Sequence, residues 1–127
     1  YFFMEKIFSE LYKDIHDAVK SQQDPFRKFF FSTRQHVLII FYIASNVDQK
    51  TTLEDICYNV SPKVVSRSTV QNILKEGCKI KFFEKEVNNK DKREKFYKFT
   101  KEAQLNMQDW LSNQNTIFSS VNDFIKK

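Results

Sequence analysis

The hydrophobic period of this chain switches at about Lys81, and that switch constrains the fold more than any other feature. Before it, Val70, Ile73, Leu74, Gly77 and Cys78 recur at i, i+3, i+4, i+7 and i+8, the buried stripe of one helix. Ser66 is a favourable N-cap, so a helix is predicted over 66–79. After the switch, 82–87 and 95–100 are aromatic and β-branched runs on either side of a charged, turn-rich segment, 88–94. Two strands around such a tip make a β-hairpin with a basic end.

Helix plus basic hairpin is the arrangement of a winged helix-turn-helix, in which the helix enters the major groove of DNA and the wing reaches the backbone or the minor groove. Arg67, Ser68, Gln71, Asn72, Lys75 and Lys79 lie off the apolar stripe, where they can donate to phosphates or pair with base edges. Gln71 and Asn72 suit adenine edges, and Arg67 a guanine edge or a phosphate. Ser68 and Thr69 stand at the helix start, where hydroxyls and backbone N–H groups bind phosphate. Helix capping and plain solvent exposure are the alternative roles for these residues.

The charge distribution points the same way. Net charge is +5, but residues 63–101 hold 12 Lys and Arg against 5 Asp and Glu, net +7, and the remainder is −2. The positive excess lies on the proposed helix and wing, as in a nucleic-acid footprint. A solvated charged hairpin is the alternative.

One Gly and two Pro in 127 residues argue for long helices and against a many-turned β fold. The length fits one domain, and 41% hydrophobic with 29% charged residues is a folded, soluble composition. An amphipathic helix is predicted over 3–19, ended by Ser21-Gln22-Gln23-Asp24-Pro25. Phe26, Phe29, Phe30 and Phe31 follow as core of a short helix or as subunit interface. Ser32 with Gln35 reads as a capping box for a central helix from about Thr33 to Val47. Asp48-Gln49-Lys50 reads as a turn. Thr51 with Glu54 reads as a second capping box, opening a short helix that buries Leu53, Ile56 and Cys57. Residues 59–65, with Pro62, form a connection longer than the usual 3–4 residues of a tight helix-turn-helix. Gly77, inside a helix, is explained by close approach of a neighbouring helix. Residues 101–127 are mostly helical, with a break or kink expected at Ser112-Asn113-Gln114-Asn115-Thr116.

Five segments in order resemble the MarR family of transcriptional regulators. They are Thr52-Leu53-Glu54-Asp55-Ile56, Ser66-Arg67-Ser68-Thr69-Val70, Phe82-Phe83-Glu84-Lys85, Asp91-Lys92-Arg93 and Lys98-Phe99-Thr100. The resemblance covers roughly 32–103. It implies that Arg93 is a wing-tip arginine that enters a narrow minor groove, with Asp91 orienting it or a neighbouring basic residue. Lys90, Lys92, Lys95 and Lys98 then contact phosphates or simply solubilise the wing. The resemblance also implies N- and C-terminal helices that interlock across a two-fold axis, hence a homodimer with recognition helices ~34–36 Å apart. Lys81 departs from the pattern: it stands where the family has Gly, and a positive φ there strains a lysine. Some MarR-like proteins bind small aromatic effectors, so Trp110 and the Phe cluster are read either as an effector pocket or as core packing.

Other chemistry has little support. Cys57 and Cys78 have no disulfide or metal spacing, lie on apolar helix faces and fit a reduced, cytoplasmic protein. Oxidant sensing requires a lowered thiol pKa, and inert packing is the simpler role. His16 and His36 have no partner spacing. No catalytic motif, metal motif or cofactor loop occurs. The longest apolar run, 37–44, is short of a membrane span. Tyr1-Phe2-Phe3 is not a signal peptide, since Glu5 and Lys6 follow Met4, and opening at Tyr1 leaves room for residues upstream.

The expected fold is mainly α with a small β-hairpin wing. A winged helix-turn-helix core over 33–100 is flanked by dimerisation helices at 1–31 and 101–127, in one domain. The expected function is a non-enzymatic, sequence-specific regulator that binds double-stranded DNA, of repressor type. The rival is a winged-helix protein–protein interaction module that binds no DNA.

Overall fold

The computed structural model describes residues 2–20, 24–46 and 50–125, with side chains over 4–20, 24–46 and 50–119. Its elements run α1 (Phe2–Lys20), α2 (Pro25–Phe30), α3 (Arg34–Ser45), β1 (Thr51–Thr52), α4 (Leu53–Asn59), α5 (Arg67–Lys79), β2 (Phe83–Val87), β3 (Lys95–Phe99) and α6 (Lys101–Ile125). The chain is mainly helical around a three-stranded antiparallel sheet of order β1-β3-β2. In β2 and β3, Phe83 pairs with Phe99 and Val87 with Lys95.

The core forms behind α5. Val70, Ile73 and Leu74 are buried, as their spacing predicts. They meet Ile39, Ile40 and Ile43 of α3, Ile56 of α4, and an aromatic cluster from α2 and the wing. Phe29, Phe82, Phe83 and Phe99 pack there with ring centroids 5.2–6.0 Å apart. So the phenylalanines of α2 are core, because Asp24 caps the helix and Pro25 fixes its first turn. Gly77 is explained chiefly by the Phe83 ring of the wing, with Phe29 of the neighbouring helix α2 also close. A Cβ there would fall on the Phe83 ring and 3.1 Å from Phe29 Cζ.

α5 ends in a Schellman motif. Phe82 N–H donates to Gly77 O at 2.8 Å and Lys81 N–H to Cys78 O at 3.2 Å. Lys81 occupies the left-handed position usually taken by glycine, at φ 64°. Thr100 holds it there: its hydroxyl donates to Lys81 O at 2.7 Å and accepts the Ala103 N–H at 3.1 Å, and its own N–H donates to Phe82 O at 3.1 Å. One threonine thus closes the sheet, fixes the end of α5 and caps α6.

Three local expectations are corrected. The central helix is capped by Thr33, which accepts from His36 N, and not by Ser32. The box at α4 is Thr52 with Asp55, not Thr51 with Glu54; the Asp55 N–H and Thr52 N–H bonds are both 3.0 Å. Thr51 and Thr52 also pair with Tyr97 and Phe96 as a third strand, which the spacing does not predict. The break at 112–116 does not occur: α6 is continuous. Its polar residues are used instead. Thr116 and Ser119 hydroxyls donate to carbonyls one turn back, and Asn113 and Gln114 donate to Asp14 of α1 at 3.5 and 3.4 Å. Asp14, whose side chain is 8% exposed, also takes the Arg27 guanidinium of α2. The break expected at 21–23, the turn at 48–49, the end of α3 at Val47 and the side chains of Phe3, Val121, Phe124 and Ile125 lie outside the described residues.

Candidate nucleic-acid interface

The long connection between α4 and α5 is ordered. Ser61 O accepts Val64 N–H at 2.8 Å and Val65 N–H at 3.1 Å, Val65 is buried, and Gln35 of α3 donates to Val64 O at 3.1 Å. Ser66 then caps α5, accepting the Thr69 N–H at 3.2 Å while its hydroxyl donates to Thr69 Oγ1 at 2.9 Å. Thr69 is therefore engaged in the cap, and Ser68 stands exposed with its Oγ 3.2 Å from Ser66 Oγ. Gln71, Asn72 and Lys75 are exposed on the outer face of α5, opposite the buried stripe, with no side-chain bond to another described residue. That combination follows from an amphipathic helix whose apolar side is consumed by the core.

At the start of α5, Arg67 faces α4. Its Nη1 donates to Glu54 Oε2 at 3.0 Å and its Nη2 to Glu54 Oε1. This hydrogen bond, ahead of the charge itself, holds the Glu54 carboxyl below its ordinary range and raises the guanidinium. The sequence offers no guide to this partner, because Glu54 reads as a capping residue when the box is placed one residue early. The displaced register frees Glu54 to face Arg67.

The wing tip is built by side chains closing on the backbone. Asn88 Oδ1 accepts Lys90 N–H at 2.9 Å, Asn88 Nδ2 donates to Glu94 at 2.8 Å, and Asp91 Oδ1 accepts Arg93 N–H at 3.0 Å. Asp91 thus holds the backbone at Arg93. The guanidinium Nε lies 3.7 Å from the same oxygen, and its side chain is 95% exposed. Lys90 and Lys92 are exposed at the tip. Lys98 lies lower on the sheet, between Glu84 at 3.8 Å and Glu86 at 3.5 Å.

Between the start of α5 and the wing runs a groove of about 520 Å³. Four residues singled out in the sequence, Arg67, Asp91, Arg93 and Lys95, line it together with Thr52, Leu53, Glu54, Glu94 and Tyr97. Ser68, Thr69, Gln71, Asn72, Lys75, Lys90 and Lys92 do not. The groove carries three cations and three carboxylates, so the regional excess of positive charge is cancelled there.

Other candidates take structural roles. Cys57 and Cys78 are free, and burial pushes the Cys78 thiol up, against the thiolate that oxidation needs. Trp110 packs on Phe30 and Phe41 at 5.0 and 5.8 Å. His36 is buried between Thr33 Oγ1 at 2.7 Å and Glu76 Oε2 at 3.3 Å, tying α3 to α5. Among the described residues no cluster of His, Cys, Asp or Glu could hold a metal, and no helix is long and apolar enough to cross a membrane.

Helix, ordered connection, second helix and hairpin together define a MarR-like winged helix-turn-helix fold. The crystal structure of a point mutant of MepR, from a multidrug-resistant S. aureus clinical isolate, shares it. That structure matches with TM-score 0.50 and 18% identity, over 94% of this chain and 78% of that one. MepR is a MarR-family regulator. No family model matches the sequence, and no curated protein does.

Proposed function

We propose that the chain is a sequence-specific, double-stranded DNA-binding transcription regulator, a cytoplasmic homodimer of repressor type without enzymatic activity. The observation that carries this reading is the outer face of α5, where Gln71, Asn72 and Lys75 are unpartnered beside the groove holding Arg67, Arg93 and Lys95. Gln71 and Asn72 meet base edges, Ser68, Thr69, Lys75, Lys90, Lys92 and Lys95 the phosphates, and Arg93 the minor groove, with Asp91 shaping its turn. Residues 33–100 form the DNA-binding core, and 1–31 and 101–127 the dimerisation helices. An exposed apolar row on α1, Met4, Phe8, Tyr12, Ile15 and Val19, supports that division. A small-molecule effector acts, in this reading, by shifting the dimer helices and so the spacing of the two recognition helices.

A protein partner is the second reading, and the balanced charges of the groove favour it. Fluorescence anisotropy of AT-rich and mixed duplexes across a salt series separates the two. A dimer on ~6–10 phosphates gives log K against log salt a slope of about −5 to −9. Arg93→Ala is expected to weaken binding about tenfold, or ~1.4 kcal/mol. No binding at low salt would sink the DNA reading.

A further inference from the structure

We propose that Glu54 sets the DNA affinity of the recognition helix by occupying the guanidinium fork of Arg67 in place of a DNA acceptor. This rests on the DNA reading above and adds a residue to it.

Arg67 is the sole cation in the first two turns of α5; Lys75 and Lys79 follow only later. A guanidinium recognises guanine or phosphate through two parallel N–H donors. Both terminal nitrogens of Arg67 already point at the two oxygens of Glu54. The carboxylate presents the same pair of acceptors as phosphate or a guanine edge, so a DNA acceptor that approaches this end-on pair of N–H groups has to displace Glu54. Both side chains are more than half exposed, at 52% and 68%, so the pair is wet, weakly held and exchangeable. The groove around it also mixes charges: Asp91 and Glu94 line it with Arg93 and Lys95, and Asp91 Oδ1 lies 3.7 Å from Arg93 Nε. The hydrogen bonds from Arg67 also lower the pKa of the Glu54 carboxyl.

The consequence is a filter. A site that offers Arg67 one oxygen replaces half of what Glu54 supplies, and a site that offers two replaces all of it. Weak contacts are penalised more than matched ones.

The test is a double-mutant cycle on the full chain: wild type, Glu54→Gln, Arg67→Ala and the double variant. Each is titrated by anisotropy against a mixed-sequence duplex of about 30 base pairs across a salt series, long enough for two successive major grooves. Glu54→Gln is expected to tighten binding about threefold to fivefold, and to steepen the salt slope by about 1 as Arg67 gains a phosphate. In the Arg67→Ala background the same change is expected to give less than about twofold, the residue of removing one negative charge. An equal gain in both backgrounds, no gain, or weaker binding by Glu54→Gln would each overturn the proposal while leaving the DNA reading intact. Absence of binding by all four proteins at low salt would overturn both.

Discussion

The winged-helix centre and the long terminal helices treat their apolar surface in opposite ways. In the centre, α5 turns every large apolar residue inward, and Phe82 and Phe83 are buried at 0% and 1% exposure. On α1, only Ile7 and Ala18 among the described side chains are buried, while Phe8 and Tyr12 are 63% and 66% exposed. Leu105, Leu111 and Phe118 add exposed apolar surface on α6. The centre closes a core, to which α6 adds Ala103 and Met107, although Leu38, Phe41, Tyr58, Val64 and Val87 stay exposed on it; the apolar row of α1 has no such cover among the described residues. An exposed apolar row of that length on a folded chain is the surface on which the proposed dimer would pack.

Three variants sharpen the contrast. Phe82→Ala strikes where the centre is closed: the ring touches Phe26, Phe29, Phe83 and Phe99, and its loss leaves a cavity. A loss of about 3–5 kcal/mol in denaturant unfolding is expected; a loss below about 1 kcal/mol would show that the core is loose. The paired change Phe8→Glu with Tyr12→Glu strikes where α1 is open. It is expected to leave the far-UV spectrum unchanged and to weaken self-association in sedimentation by about 3 kcal/mol or more. Self-association that persists would place the dimer face elsewhere. Lys81→Gly has the smallest effect. It removes the strain of a left-handed lysine, about 1–2 kcal/mol, against the greater freedom of glycine in the unfolded chain, for a net gain of about 0.5–1 kcal/mol. No gain in melting temperature would mean that the Thr100 bonds already absorb the strain.

The parts legible in the sequence are those fixed by period. The stripe on α5 and the paired aromatic and β-branched runs of the hairpin survive any one-residue error, because several residues vote for each. The caps are different. Ser32-Thr33 is followed three residues on by Gln35-His36, and Thr51-Thr52 by Glu54-Asp55. Two registers therefore fit locally, and tertiary partners go with the ones adopted: His36 is buried against Glu76 of α5, and Glu54 pairs with Arg67 while Asp55 turns back to Thr52. That single-residue choice also decides whether Glu54 is a cap or the partner of Arg67. The polar run at 112–116 looks like a break because its partner, Asp14, lies about a hundred positions away. The residues proposed for DNA contact are picked out by polarity and position alone. Their division between the groove and the outer face of α5 depends on how the wing folds back, which spacing alone does not encode.

The continuity of α6 gives it a mechanical property. Twenty-five residues at 1.5 Å each make a stiff rod of about 37 Å. Its first residue follows Thr100, the point joined to Lys81 and Phe82 at the end of α5. Asn113 and Gln114, near its middle, rest on Asp14 of α1 like a beam on a bearing. A tilt of about 5° over the full length carries one end by about 3 Å relative to the other, comparable to the rise between neighbouring base pairs. Had the helix broken at Ser112, a push at its distal half would have been lost in the hinge. As built, α6 offers no such hinge between its distal half and Thr100 at the base of the wing.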